Sequence, residues 1–323
     1  MQLIRNTGVK KRHLIQPVEL AIKHPGFELR NKIFENESKR LVPGVVREAL
    51  QHSDCTEKDI AAIIYVSCSG FMMPSLTAWL INKMGFNTDT VQIPICQLGC
   101  AAGGSAINRA YDFTLAHPDS NVLIISCEFC SLSYQPTDHD VGSLLSDGLF
   151  GDAITAVVVT SNLSRGLHIQ RNASYIIPDT EDWIRYDVKD TGFHFRLDKR
   201  VPLTMKPLAP VMRDFTASYG WNIEMLDYYI IHAGGPRILD DLCKFLHVPA
   251  HLFKYSRDTL VNCGNIASSV VFETYRRMWE DGYIKENSAK GIIAGFGPGI
   301  TAELCLIESK ENILGNLRNF SYF

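Results

Sequence analysis

Long apolar runs, a surplus of either charge and a paired cysteine motif are all missing from this chain, and each absence excludes a class of function. No uninterrupted apolar stretch approaches the ~18 residues of a membrane-spanning helix. The opening MQLIRNTGVKKRH has no signal-peptide core. Thirty-five acidic side chains face 32 basic ones, a net charge of −3. There is thus no excess of cations to neutralise phosphates, and neither a nucleic-acid nor a membrane partner is expected. A cytoplasmic location is expected. With 46% hydrophobic and 21% charged residues the chain is globular, and 323 residues make about two domains or one large one.

Nine cysteines are present, at 55, 68, 96, 100, 127, 130, 243, 263 and 305. An odd count without a secretory signal argues against a disulfide framework. Cys127 and Cys130 have CxxC spacing, and Cys96 and Cys100 are four apart. However, VLIISCEF reads as a buried strand, and no His pair or second CxxC follows in register, so no metal site is expected. Most of these thiols read as small buried apolar groups. GFGPG (295–299) is neither GxGxxG nor a phosphate loop ending in Lys-Ser/Thr, so no nucleotide-type redox cofactor is expected.

What is present is an alternation of helical and extended patterns, an α/β protein. Helical periodicity covers 36–52, with Pro43 near its first turns, and then 75–85, 104–117, 204–219, 237–247 and 266–279. Strands are expected at 61–69, 91–96, 121–129, 153–161, 227–234, 290–296 and 301–309, several of them apolar enough to be buried on both faces. Each half holds an apolar strand ending in a small-residue turn (YVSCSG, IIHAGG). Each closes on strands around a glycine turn (LFGDAITAVVV, GFGPGITAELCL). Two related α/β units are expected, 1–163 and 164–323.

Three short stretches carry chemistry. Cys100 in QLGCAAGGSA stands where an extended segment meets a helix. Unpaired N–H groups and the helix dipole there favour the nucleophilic thiolate. A packed helix start that tolerates a cysteine reads equally well. His232 in HAGGPRILDD follows an apolar strand, at the rim where open α/β sheets place ligands, although a capping or core histidine is the simpler reading. Asn265 in CGNIASS precedes a helix and reads equally as an N-cap. Together, thiol, imidazole and carboxamide form an acyl-transfer set in which His and Asn donate to one oxygen. A papain-like protease also runs Cys, His, Asn, with the His about 130–150 residues downstream. Its CGSCW-type signature is absent, and buried parallel-type strands do not suit it.

In LGCAAGG, LFGD, HAGGPRILDD, GNIAS and GFGPGITAE, in this order, the chain resembles the type III polyketide synthases, the chalcone-synthase-like branch of the thiolase superfamily. TGFHFRLDKRVP, CEFCSLSYQPTD and GFMMPSLTAWLIN are most similar to the bacterial, naphthalene-forming members. The resemblance implies a layered αβαβα thiolase-like fold of two related halves, with the N-terminal half carrying the nucleophile and the C-terminal half His232 and Asn265. It implies malonyl-CoA as starter and extender, Cys100 as acyl carrier, and an enolate held by His232 and Asn265. Five malonyl units would give a pentaketide that cyclises. CoA thioesters are then substrates, and no cofactor, metal or acyl-carrier protein is needed.

Further positions follow from the same resemblance. Phe150 and Phe195 match the gatekeepers between CoA tunnel and cavity. Tyr186, Cys68, Ser133 and Ser146 match cavity positions, and Gly295, Gly297 and Pro298 belong to the glycine turn. Met73 matches a residue that crosses a homodimer interface. Lys10, Lys11 and Arg12 match a basic segment near the CoA tunnel. Members of the family usually begin several dozen residues earlier, so the first strand of the N-terminal sheet is expected to be missing. Cys263 stands where an aromatic is common. The rivals are a ketoacyl synthase of the fatty-acid-initiating kind and a non-catalytic thiolase-fold binding subunit.

Overall fold

In the computed structural model, described for residues 6–23, 26–161, 166–284 and 288–310, the apolar runs become the centres of two sheets. Helix α1 (Gly26–His52) precedes β1 (Ile60–Val66), α2 (Leu76–Met84), β2 (Val91–Ile95), α3 (Ala102–Ala116), β3 (Asn121–Phe129), α4 (Val141–Leu149) and β4 (Asp152–Thr160). There follow β5 (Gly166–Ile176), the hairpin β6 (Ile184–Lys189) and β7 (Gly192–Leu197), α5 (Met205–Ala217), β8 (Tyr228–Ile231) and α6 (Pro236–Leu246). The chain then forms α7 (Lys254–Cys263), α8 (Val270–Glu280), β9 (Lys290–Gly297) and β10 (Thr301–Lys310).

The first sheet runs β2-β1-β3-β4, and the second β5-β10-β9-β8. In each, two apolar strands pair in parallel, and the next strand returns antiparallel: β1 with β3 and then β4, β8 with β9 and then β10. This shared order is the duplication read in the sequence. The halves differ at both edges: β2 flanks β1, whereas no strand among the described residues flanks the outer edge of β8. Strand β5 lies antiparallel along β10, whereas no strand among the described residues flanks the outer edge of β4. Strand β4, expected to be buried on both faces, is accordingly only half-buried along most of its length.

Five layers follow from which faces are apolar. Residues of α1 and α2 (Phe34, Leu41, Val46, Leu76, Leu80) pack on one face of the first sheet. Its other face packs with α3, α8 and the inner face of the second sheet in one cluster holding Ile64, Ala106, Ile124, Val271 and Ile293. The outer face of the second sheet is covered by α5 and α6 through Leu208, Met212, Leu239 and Leu242. Among the described residues no helix is long and apolar enough to cross a membrane. The boundary expected at 163/164 lies outside the described residues.

Three corrections concern local structure. Helix α1 begins ten residues earlier than its strongest periodicity, so Pro43 sits buried in the helix interior rather than near the start. Helices α4 and α7 and strands β5, β6 and β7 had no clear signal. VGSLLSDGL carries two glycines and two serines, and IRYDVK is mostly polar. Tertiary packing overrides weak propensity in such segments.

Candidate active site

The turn Gly99–Ala101, a single 3-10 turn, brings Cys100 out of β2 and straight into α3. Gly99 has φ +51, and a Cβ there would stand 2.7 Å from Pro298 Cδ. From the other side, a Cβ on Gly297 would fall 2.5 Å from the Ala101 nitrogen. The GFGPG turn is therefore packed directly beneath the nucleophile candidate, and glycine is needed because the two backbones meet. Gly103 repeats the point: its Cβ would be 2.1 Å from the Ser268 carbonyl oxygen.

His232 leaves the end of β8 with its backbone N–H donating to the Ala294 oxygen at 2.8 Å. The next residue, Gly295, has its Cβ position 3.2 Å from the Ala101 oxygen, so β9 links the histidine to the Cys100 turn. The imidazole is buried, and its Nδ1 has no hydrogen-bond partner among the described residues. Asn265 is both a cap and a site residue. Its Oδ1 accepts from the Ala267 N–H at 3.0 Å, and its carboxamide lies 3.9 Å from Cys100 Sγ. Oδ1 and Nδ2 both stand 3.9 Å from the sulfur, so the amide lies broadside to it while the Ala267 N–H holds its oxygen. A parallel bridge between Phe150 and Asn265, with the Asn265 N–H donating to the Leu149 oxygen at 2.8 Å, anchors the loop.

Cys130, Phe150 and Ala267 form a small apolar cluster with Cys68, Cys100 and Phe195 packed against it. The Phe150 and Phe195 rings meet edge to face at 5.1 Å. Tyr186 lies 5.9 Å from Phe195 and opposite it in the β6–β7 register. Five expected residues thus share one pocket with a sixth, Cys130, that was not expected. Cys127, the other half of the CxxC, lies fully buried on β3 against the Ser38 hydroxyl at 3.3 Å.

The largest omission was Glu128, fully buried on β3. It accepts from the Cys68 N–H at 3.0 Å, from Ser69 Oγ at 3.0 Å and from Ser268 Oγ. Its signal was a lone carboxylate inside the apolar run NVLIISCEF, since a charge is rarely buried without partners. Burial raises its pKa, partly offset by those donors.

Burial pushes the Cys100 thiol up to about 12, with Glu128 adding to the rise and the Asn265 hydrogen bond opposing it. This corrects the expectation that the helix start alone favours thiolate. Burial also brings His232 down to about 4. A lone thiolate or a lone imidazolium is costly here.

The remaining expected residues are more peripheral. Ser133 donates to the Cys130 oxygen and Ser146 to the Ser143 oxygen, both at 2.7 Å, so each hydroxyl is turned to its own helical segment. Met73 is 87% exposed. Lys10 and Lys11 are exposed. Arg12, by contrast, donates to the Asp147 oxygen at 2.5 Å and the Phe150 oxygen at 2.9 Å. Its guanidinium tethers the loop after α4. Among the described residues no group of three or more His, Cys, Asp or Glu side chains is placed to hold a metal ion.

Two family models match the chain, the N-terminal domain of chalcone and stilbene synthases over residues 1–163 and the C-terminal domain over 168–311. The 1,3,6,8-tetrahydroxynaphthalene synthase of Streptomyces griseus is 61% identical over 95% of this chain and 82% of its own length. The phloroglucinol synthase of Pseudomonas fluorescens is 43% identical over 95% and 88%. The crystal structure of 1,3,6,8-tetrahydroxynaphthalene synthase from Streptomyces coelicolor superposes with a TM-score of 0.94 at 59% identity, covering 96% of this chain and 89% of that one.

Proposed function

The chain belongs to the chalcone and stilbene synthase family, and from that premise we propose that it is a type III polyketide synthase that condenses five malonyl-CoA units into 1,3,6,8-tetrahydroxynaphthalene. The observation that carries the reading is the cluster around Cys100. The Asn265 carboxamide lies 3.9 Å from Cys100 Sγ, and an apolar Phe150–Phe195 wall stands beside them.

The chemistry follows from these groups. Cys100 Sγ attacks the thioester carbonyl of the starter, its proton passes to His232, and the CoA thiolate leaves. A second malonyl-CoA then enters. Its free carboxylate meets an apolar wall that cannot pair it, and an unpaired buried charge is costly. Breaking the C–C bond expels CO2 and leaves the electron pair on an enolate. The enolate oxygen is held by N–H donors from His232 and Asn265, donors that strengthen as charge develops. The carbanion attacks the Cys100 thioester, the C–S bond breaks, and the extended chain resides on CoA until it reloads. The β-keto thioester supplies its own electron sink, so the residues present suffice and no cofactor is invoked.

Incubation with malonyl-CoA alone is expected to yield the naphthalene product, identified by mass. Absence of product with malonyl-CoA, together with condensation when malonyl is presented on an acyl-carrier protein, would favour a ketoacyl synthase instead. Binding of CoA thioesters without any turnover would favour a non-catalytic subunit.

A homodimer is part of the same reading. Met73, Phe71 and Val91 are 87%, 58% and 44% exposed, and β2 presents an open sheet edge. Exposed apolar groups, and a sheet edge left unpaired among the described residues, favour a partner. Sedimentation is expected to give twice the chain mass, and Met73→Asp to shift it toward the monomer. A monomeric wild type would remove the dimer from the proposal.

A further inference from the structure

The hairpin β6–β7 has two faces. Cross-strand register places Tyr186 with Phe195 and Val188 with Phe193 on one face, and Asp187 with His194 and Arg185 with Arg196 on the other. The Tyr186–Phe195 end of the first face meets the cluster beside Cys100, where Phe195 packs on Phe150, while Phe193 packs on Phe27 and Val188 is exposed. The second face is tied to the segment ahead of α4. His194, 3% exposed, brings Nδ1 to 2.8 Å from Asp138 Oδ2 and Nε2 to 2.6 Å from Thr191 Oγ1. Arg196 reaches Asp138 at 3.3 Å, Asp140 at 2.8 Å and Asp187 at 2.9 Å. Asp140 in turn caps α4 by accepting from the Ser143 N–H at 3.1 Å.

These contacts join the two segments whose rings, Phe150 and Phe195, meet beside Cys100. Helix α4 carries Ser146 and delivers Phe150 at its end, while β7 delivers Phe195. We propose that the Asp138–His194 contact, backed by Arg196, is a positioning clamp that fixes the separation of those two segments and thereby the number of condensations completed before release. The inference rests on the polyketide reading and deepens it. None of these groups touches the reacting atoms, so they act through Phe150, Phe195 and Tyr186. A first condensation needs only Cys100, His232 and Asn265. A long flexible intermediate, by contrast, must be held folded by the Phe150–Phe195 wall, and a loosened wall lets it escape early. Buried charge-assisted contacts of this kind hold side chains in one geometry, and a site left slightly loose loses function out of proportion to the displacement.

The test compares His194→Phe, which keeps ring volume and removes both contacts, with His194→Asn, whose amide nitrogen stands near the Nδ1 position and can still donate to Asp138. Both are incubated with malonyl-CoA, and total CoA release and the ratio of pentaketide to shorter products are measured. His194→Phe is expected to lower that ratio about tenfold while CoA release stays within about threefold, and His194→Asn to restore most of it; tenfold in a partition corresponds to ~1.4 kcal/mol. Asp138→Ala should reproduce the Phe variant, and it serves if that variant does not fold. An unchanged ratio in a folded variant, or a fall in CoA release with no change of ratio, overturns the clamp. A wild type that consumes no malonyl-CoA overturns the reading beneath it, a separate and recognisable failure.

Discussion

Replacing Cys100 with alanine is expected to abolish aromatic product while leaving CO2 release from malonyl-CoA in place. The two halves of the outcome have different causes. Elongation needs a thioester on the protein, and alanine offers no atom to form one, so product should fall by on the order of 10⁴ or more, as when a covalent nucleophile is removed. Decarboxylation needs only an enolate oxygen held by His232 and Asn265. Asn265 keeps its orientation without the sulfur, because its Oδ1 is fixed by the Ala267 N–H. The measurements are product by mass and CO2 by trapping. Persistent aromatic product would refute the nucleophile, and loss of CO2 release would mean that Cys100 also shapes the enolate site.

His232→Ala is expected to have the second largest effect, with two readouts. Decarboxylation should fall by about 10²–10³, the usual cost of one lost donor at a developing oxyanion. Cys100 should also become slower to alkylate with iodoacetamide at neutral pH. The sign follows from burial. The thiol on its own is pushed up to about 12, so any thiolate at pH 7 depends on a proton accepted nearby. With His232 gone, alkylation should require higher pH, and the inflection should move upward relative to wild type. An identical inflection in the two proteins would show that the histidine does not share the cysteine's proton.

The candidate trio was legible because each member sits at a junction with its own sequence signal. Cys100 lies between an extended segment and a helix, His232 at the end of an apolar strand, and Asn265 before a helix. Asn265 shows why the simple reading need not compete with the functional one, since the cap orients the amide. The layered fold was legible from the apolar strands, which can be buried on both faces only between helices.

Other features depend on packing that no local pattern encodes. Glu128 stood in view within NVLIISCEF, yet its partners Ser69 and Ser268 come from the loop after β1 and the turn before α8. Arg12 read as a ligand-binding cation, and in the fold its Nη1 also donates to two carbonyls, of Asp147 and Phe150. The thiolate expectation failed on magnitude. A helix dipole contributes about 0.3–1 kcal/mol, while a thiol moved from 9 to about 12 reflects roughly 4 kcal/mol in the other direction. The β6–β7 hairpin was missed because its alternation is half aromatic and half charged, and only the fold brings Phe195 on one face to Phe150 and His194 on the other to Asp138.

The central claim is that growing chains ride on Cys100 rather than on its neighbours Cys68 and Cys130, which share the pocket. Briefly mixing the wild-type protein with malonyl-CoA, quenching in acid and locating the acyl adduct by peptide mass spectrometry tests this directly. An adduct on the peptide containing Cys100, absent in Cys100→Ala, is the expected result. An adduct on Cys68 or Cys130 with Cys100 unmodified would contradict it.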